Sequence, residues 1–166
     1  MNHSLGRRHL LKLLGITGLG AFSGLLGNVP SVLAATETIV RSEDALNRLM
    51  EGNHRFTQQQ SEYPHQALKR LQEVAYAQHP YATILSCADS RVPAEIIFDA
   101  GIGDIFDVRV AGNIVTPEVL GSLEYAVVQL DTPLIVVLGH ERCGAITAAV
   151  KGGILPGSIG TLVAAI

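Results

Sequence analysis

The sequence predicts an α/β fold, a parallel β-sheet flanked by helices. Three observations predict it. The apolar runs at residues 81–86 and 134–138 have strand length, and residues 105–110 alternate as a strand does. Segments with helical spacing separate these runs, and strands joined through helices pair in parallel, with both faces of the sheet covered. Both cysteines of the chain, Cys87 and Cys143, follow closely on such runs. Ligands collect just beyond the carboxyl ends of parallel strands.

Taken in order, the elements begin with a helix capped by Ser42. Its apolar residues Ala45, Leu46, Leu49 and Met50 share one face, and Gly52 is expected to end it. A second helical pattern follows Pro64, with Leu68, Leu71, Val74 and Ala75 at helical spacing, and His79-Pro80 closes it. The run Tyr81-Ala82-Thr83-Ile84-Leu85-Ser86 fits a buried strand. Pro93 opens a short helix through Phe98, and Gly101 and Gly103 break the chain before the strand at 105–110. Thr116 caps, and Pro117 starts, a helix running to about Leu130. After the turn Asp131-Thr132-Pro133 comes Leu134-Ile135-Val136-Val137-Leu138, the clearest buried strand in the chain. A further helix runs from Gly144 to Val150, and another begins near Ile159.

Composition narrows the function classes. The 166 residues are 48% hydrophobic and 16% charged, which excludes a disordered polyelectrolyte. The net charge of −3 gives no electrostatic case for nucleic acid. Two cysteines are too few for a disulfide-stapled scaffold.

The hydrophobicity is concentrated at the start. Arg7, Arg8 and Lys12 precede 24 uncharged residues, from Leu13 to Thr36, that end in Ser31-Val32-Leu33-Ala34-Ala35. This pattern reads as an export signal over residues 1–34, cleaved after Ala34 or Ala35. Arg7-Arg8 with His9-Leu10-Leu11-Lys12 resembles the twin-arginine type. The expected compartment is therefore periplasmic or an equivalent extracytoplasmic space, with no stable membrane insertion after cleavage. An uncleaved membrane anchor is the alternative. Removing residues 1–34 takes away three basic residues and no acid. The remaining domain, 35–166, has 132 residues with 9 basic side chains against 15 acidic, a net charge of −6.

The chemistry gathers in two short segments. Cys87-Ala88-Asp89-Ser90-Arg91 follows the first strand, and His140-Glu141-Arg142-Cys143 follows the third. Two thiolates and an imidazole make a three-ligand zinc set that leaves a fourth position for water or substrate. Thiolates select soft or borderline metals, which excludes magnesium and calcium. Taken singly, each residue has a plainer reading: a small buried cysteine, a disulfide in an oxidising compartment, a loop histidine, or a loop salt bridge between Asp89 and Arg91.

Residues 81–153 resemble the β class of carbonic anhydrases. The Cys-x-Asp-x-Arg and His-x-x-Cys elements carry the likeness, together with Gly103-Asp104-Ile105-Phe106, Arg109-Val110-Ala111-Gly112-Asn113 and Gly121-Ser122-Leu123-Glu124-Tyr125-Ala126. The segment Gly52-Asn53-His54-Arg55-Phe56 resembles that family's N-terminal helical arm. The resemblance implies Zn2+ as cofactor, one per subunit, held by Cys87, His140 and Cys143. It implies a catalytic dyad of Asp89 and Arg91, with Asp89 also a potential fourth zinc ligand in a closed subtype. Gln78 falls where the open subtype has a substrate-positioning glutamine, and the Gly144 amide where substrate is hydrogen-bonded. The implied reaction is reversible hydration of CO2 to bicarbonate and a proton, by attack of zinc-bound hydroxide on CO2. The implied state is a homodimer or higher homo-oligomer.

Physical chemistry supports those roles. Zinc brings the pKa of bound water to about 7, and two thiolates should place it higher and favour mildly alkaline activity. A bidentate Arg91 would keep Asp89 ionised and fixed, so that it accepts the hydrogen of the hydroxide and aims its lone pair at CO2.

Two alternatives stay open: hydrolysis of a CO2 analogue such as carbonyl sulfide or carbon disulfide on the same fold, and an inactive truncated zinc-binding fragment. The second arises because family members usually continue past the position of Ile166 with more helix and a further strand. The expected sheet has about three strands with one apolar flank uncovered.

Overall fold

The structure, a computed structural model, describes residues 41–166. The predicted export signal lies outside these residues. Among the described residues no helix is long and apolar enough to cross a membrane.

Helix α1 (Ser42–Thr57) carries Glu43 and Asp44 in its first turn and His54 and Arg55 in its last, the arrangement that opposes the helix dipole. Two expectations for it are corrected. Arg41 takes the cap position and Ser42 is the first helical residue. Gly52 does not end the helix, which runs on to Thr57. Its role is packing: a Cβ there would lie 1.8 Å from the Phe98 carbonyl oxygen, so only glycine allows this approach. Ala45 and Leu49 are buried, while Leu46 and Met50 on the neighbouring face are exposed.

Helix α2 (Leu68–Glu73) is shorter than its apolar spacing suggests. It has no buried residue, and Leu68 and Leu71 are exposed. A six-residue helix with no covered face has little to extend it.

Strand β1 (Ala82–Ser86) is buried along its whole length. Helix α3 (Ala94–Ile97) is capped by Pro93, strand β2 (Ile105–Arg109) follows, and a 3-10 turn spans Ala111–Asn113. Helix α4 (Pro117–Leu130) begins as its sequence dictates. The Thr116 side chain accepts from the Val119 N–H, Pro117 opens the first turn, and Asp131 closes the helix in a left-handed conformation. Strand β3 (Ile135–Leu138), helix α5 (Gly144–Lys151) and helix α6 (Ile159–Val163) complete the order.

The sheet is parallel with strand order β2-β1-β3. On one face Ala82 and Ile84 pack with Ala45, Leu49, Ala94 and Phe98 from α1 and α3. Fully burying a leucine or isoleucine such as Leu49 or Ile84 contributes about 1.5–3 kcal/mol. On β2, Phe106 meets Tyr125 of α4 with ring centroids 6.3 Å apart. Residues 134–138, expected as the clearest buried strand, are only partly buried, and they form the apolar flank expected to stand uncovered. Ile135 and Val137 are 43% and 63% exposed, because β3 pairs with β1 alone and, among the described residues, nothing covers that face.

Register is what builds the site. Ser86 stands opposite Arg109 on one side and Leu138 on the other, so all three strands end at one level. The segments leaving them emerge side by side.

Candidate metal centre

Cys87 is the first residue after β1, and His140 and Cys143 lie in the segment joining β3 to α5. Because β1 and β3 are neighbours, that segment meets the loop after β1, and the ligating atoms of the three residues lie within 4.8 Å of one another. Both cysteines are buried and free. Their sulfurs are 3.9 Å apart. Two sulfurs on one tetrahedral zinc, each at about 2.3 Å, would stand about 3.8 Å apart.

The histidine is prepared in the same sense. His140 Nδ1 donates to the Glu141 carbonyl at 3.0 Å, which leaves the lone pair on Nε2. That nitrogen is buried and has no hydrogen-bond partner among the described residues. A buried acceptor left unpaired is costly, and a metal in the group would satisfy it. The residues present therefore fit a zinc ion, on donor chemistry and on spacing.

Backbone amides support the sulfurs. The Ile146 N–H, in the first turn of α5, bonds to Cys143 and outweighs burial, and the Ala145 N–H adds to it; together they lower the Cys143 thiol pKa. The Gly112 N–H donates to Cys87 Sγ at 3.3 Å. Gly112 has φ +75, and a Cβ there would press on Ile166 and Ala145.

Asp89 and Arg91 form the expected pair. Arg91 Nε donates to Oδ1 at 2.8 Å, Nη2 to Oδ2 at 2.7 Å, and the Arg91 backbone N–H to Oδ1 at 3.0 Å. The guanidinium, and after it the backbone amide, hold the Asp89 carboxyl well below the usual carboxylate range. Asp89 Oδ2 lies 3.9 Å from His140 Nε2, so the dyad stands at the edge of the metal group with its carboxylate turned onto Arg91. The same Arg91 Nη2 reaches the Arg142 carbonyl at 3.3 Å, tying the two site segments together.

Two further residues named from the sequence take different places. Gly144 is the first residue of α5, directly after Cys143. A cavity of about 350 Å³ opens between His140, Cys143, Ile146 and Val150, and Gly144 is not in its lining. Gln78 precedes β1 whereas Cys87 follows it, and a five-residue strand spans about 17 Å. Within one chain Gln78 is therefore not brought to the metal group. It lines a cavity of about 540 Å³ at the opposite end of the sheet, with His79, Gly103 and Tyr125.

Sequence reasoning gave no role to Arg109 or Gly112. Both stood in a quoted motif, but their contacts depend on the register of β2 against β1.

Comparison with known proteins agrees with this geometry. The sequence profile of a family described as carbonic anhydrase matches residues 82–166, half of the chain. A protein named carbonic anhydrase 2 from Mycobacterium tuberculosis is 52% identical over 116 residues, covering 68% of this chain and 56% of that protein. A carbonic anhydrase of Mycolicibacterium smegmatis is 50% identical over 107 residues, covering 64% and 52%. The chain thus spans a little over half the length of the curated relatives it matches. Among solved structures, one of the tetrameric β-carbonic anhydrases of Sordaria macrospora superposes with a TM-score of 0.55 at 27% identity, covering 73% of this chain and 61% of that one. A β-carbonic anhydrase of Aspergillus fumigatus gives 0.54 at 27%, covering 74% and 56%. With half of its length matched by the family profile and its sheet shared with these structures, the chain belongs to the carbonic anhydrase family, in its β class.

Proposed function

We propose that this protein catalyses the reversible hydration of CO2 to bicarbonate and a proton, with zinc as its metal. One observation carries the reading: three zinc-type donors converge within 4.8 Å, beside a carboxylate locked by an arginine. Cys87, His140 and Cys143 would hold zinc, whose chemistry there is the activation of water as a nucleophile near neutral pH.

The remaining work falls to the chain. Arg91 occupies one edge of both Asp89 oxygens and keeps the group ionised. A carboxylate has about four lone-pair sites, so Asp89 can still accept a hydrogen bond from the nucleophile and orient it. A single geometry is thereby favoured over free rotation, which is how positioning lowers a barrier. The Gly144 amide is a first-turn N–H without an intrahelical acceptor, suited to an oxygen of bound CO2 or bicarbonate. In a closed form Asp89 would leave Arg91 and complete the ligand set.

Gln78 would serve such a site only across an interface between copies, given its place at the far end of the sheet. A homo-oligomer agrees with that, and the Sordaria macrospora relatives are described as tetrameric. The pattern of residues 1–34 supports export, with the domain from residue 35 acting outside the cytoplasm.

Stopped-flow CO2 hydration by the zinc-loaded protein tests the reading. A rate well above buffer supports it, and a folded, zinc-replete protein without one discards it.

A further inference from the structure

The geometry points to Arg109 as a positioning residue that sets Cys87 and Asp89 relative to each other. The inference rests on the proposed function for its catalytic consequence, but not for its structural one.

Arg109 is the last residue of β2 and lies opposite Ser86, the last residue of β1. One more pair of backbone bonds follows, from the Val110 N–H to the Ser86 carbonyl and from the Ala88 N–H to the Val110 carbonyl, and the Asp89 carbonyl accepts from the Val92 N–H at 3.2 Å. Arg109 adds side-chain donors to the Cys87 and Asp89 carbonyls, whose two lone pairs leave room for them. Its Nε and Nη2 donate to the Cys87 carbonyl at 3.0 and 2.8 Å, and Nη2 also donates to the Asp89 carbonyl at 2.6 Å. One planar guanidinium thus spans two carbonyls two residues apart, on either side of Ala88. Gly112, three residues further on, donates its N–H to the Cys87 sulfur. Cys87 is therefore held at its carbonyl and at its sulfur by one short stretch of chain.

The polar environment of Arg109 is specific too. Asp107, on the same face of β2, has Oδ2 4.0 Å from Arg109 Nε and accepts from Ser86 Oγ at 3.1 Å on Oδ1. The two carbonyls fix the plane of the guanidinium, and the Asp107 carboxyl stands beside it without a hydrogen bond to it.

The side chains it governs point to different partners. Cys87 Sγ turns into the metal group, and the Asp89 carboxylate turns onto Arg91. Their separation is set by the backbone from Cys87 to Asp89, which Arg109 clamps. A lysine at this position would keep the charge, but an ammonium cannot reproduce the planar fork.

The test uses Arg109→Lys and Arg109→Gln in the full chain, with folding followed by circular dichroism. Metal-free protein is titrated with cobalt(II) while the thiolate-to-cobalt charge-transfer band is recorded. Zinc-saturated protein is assayed for CO2 hydration. For Arg109→Lys the cobalt affinity should fall about tenfold, in the range found when partners of metal ligands are lost. With zinc saturating, kcat should fall about tenfold while KM changes little, and adding Arg109→Lys to Asp89→Ala should cost nothing further. A generally weakened fold would instead lower activity by the same factor in both backgrounds.

Wild-type cobalt affinity and wild-type kcat in a folded Arg109→Lys variant would overturn the proposal; if Arg109→Gln does not fold, the lysine variant decides alone. The readouts separate the two claims. A parent protein that binds cobalt through its thiolates but does not hydrate CO2 removes the proposed function, while the affinity loss still supports Arg109.

Discussion

Arg91 holds both carboxylate oxygens of Asp89, two residues before it, through its guanidinium at 2.7 and 2.8 Å, and its own backbone N–H adds a third bond at 3.0 Å. The pair closes a tight local ring at the margin of the metal group. This local ring orients the carboxylate of Asp89, while Arg109 of β2 holds the Asp89 backbone beneath it.

Removing that charge should separate metal binding from turnover. Asp89→Asn is expected to keep its zinc and to lose about 100-fold in kcat, the scale of a misoriented nucleophile. Metal analysis beside stopped-flow rates checks this. Equal loss of zinc and rate would instead make Asp89 a metal ligand in the resting protein.

The sulfurs should behave in the opposite way. Cys143→Ser removes a thiolate that α5 amides stabilise, and zinc should fall from stoichiometric to background after dialysis against a weak chelator. Glu141→Ala, whose side chain is 92% exposed, should leave zinc content unchanged. Retention of zinc by Cys143→Ser would refute the ligand set.

Acid stability should depend on Asp99, at the other end of the molecule. Its side chain is 2% exposed and takes the Arg55 Nε at 2.6 Å and the N–H groups of Glu62 and Tyr63. Burial opposes ionisation of Asp99, but these donors together outweigh it and lower its pKa. A carboxyl lowered on folding stabilises the native state above the unfolded value of about 3.9, and that stability is lost as pH falls through the folded value. Asp99→Asn keeps a residue that tolerates the left-handed backbone here, φ 44. It should cost about 2–3 kcal/mol at pH 7, and the difference should shrink below pH ~4. Urea unfolding at both pH values measures it; a gap independent of pH would contradict the assignment.

Two glycines in helices should respond with opposite signs. Gly52→Ala forces a Cβ to 1.8 Å from the Phe98 carbonyl and must push α1 from the end of α3, costing about 1–3 kcal/mol or more. Gly121 in α4 has nothing within 4 Å of such an atom, so Gly121→Ala should stabilise by up to about 1 kcal/mol. Thermal unfolding of both variants distinguishes them.

The same contrast explains what the sequence made legible. Thr116-Pro117 announces α4 because capping is local, and β1 is readable because a short, mainly apolar run between turn residues has strand length. The metal group was legible because its residues lie directly beyond strand ends and their types suit one chemistry. Gly52 was misread because its reason for being glycine is the Phe98 carbonyl, far along the chain. The apolar run of β3 signalled a strand, but exposure of Ile135 and Val137 depends on what stands beside it, which local pattern does not carry. Arg109 stood in a motif without a role, because only register sets it over the Cys87 and Asp89 carbonyls.

The central claim is a zinc site of two sulfurs and one imidazole with a further position open. X-ray absorption at the zinc edge of the metal-loaded protein tests it most directly. Two sulfurs at about 2.3 Å and two lighter atoms at about 2.0–2.1 Å are expected. One of the lighter atoms should show the imidazole scattering of His140. A shell with no sulfur, or with one, would contradict it.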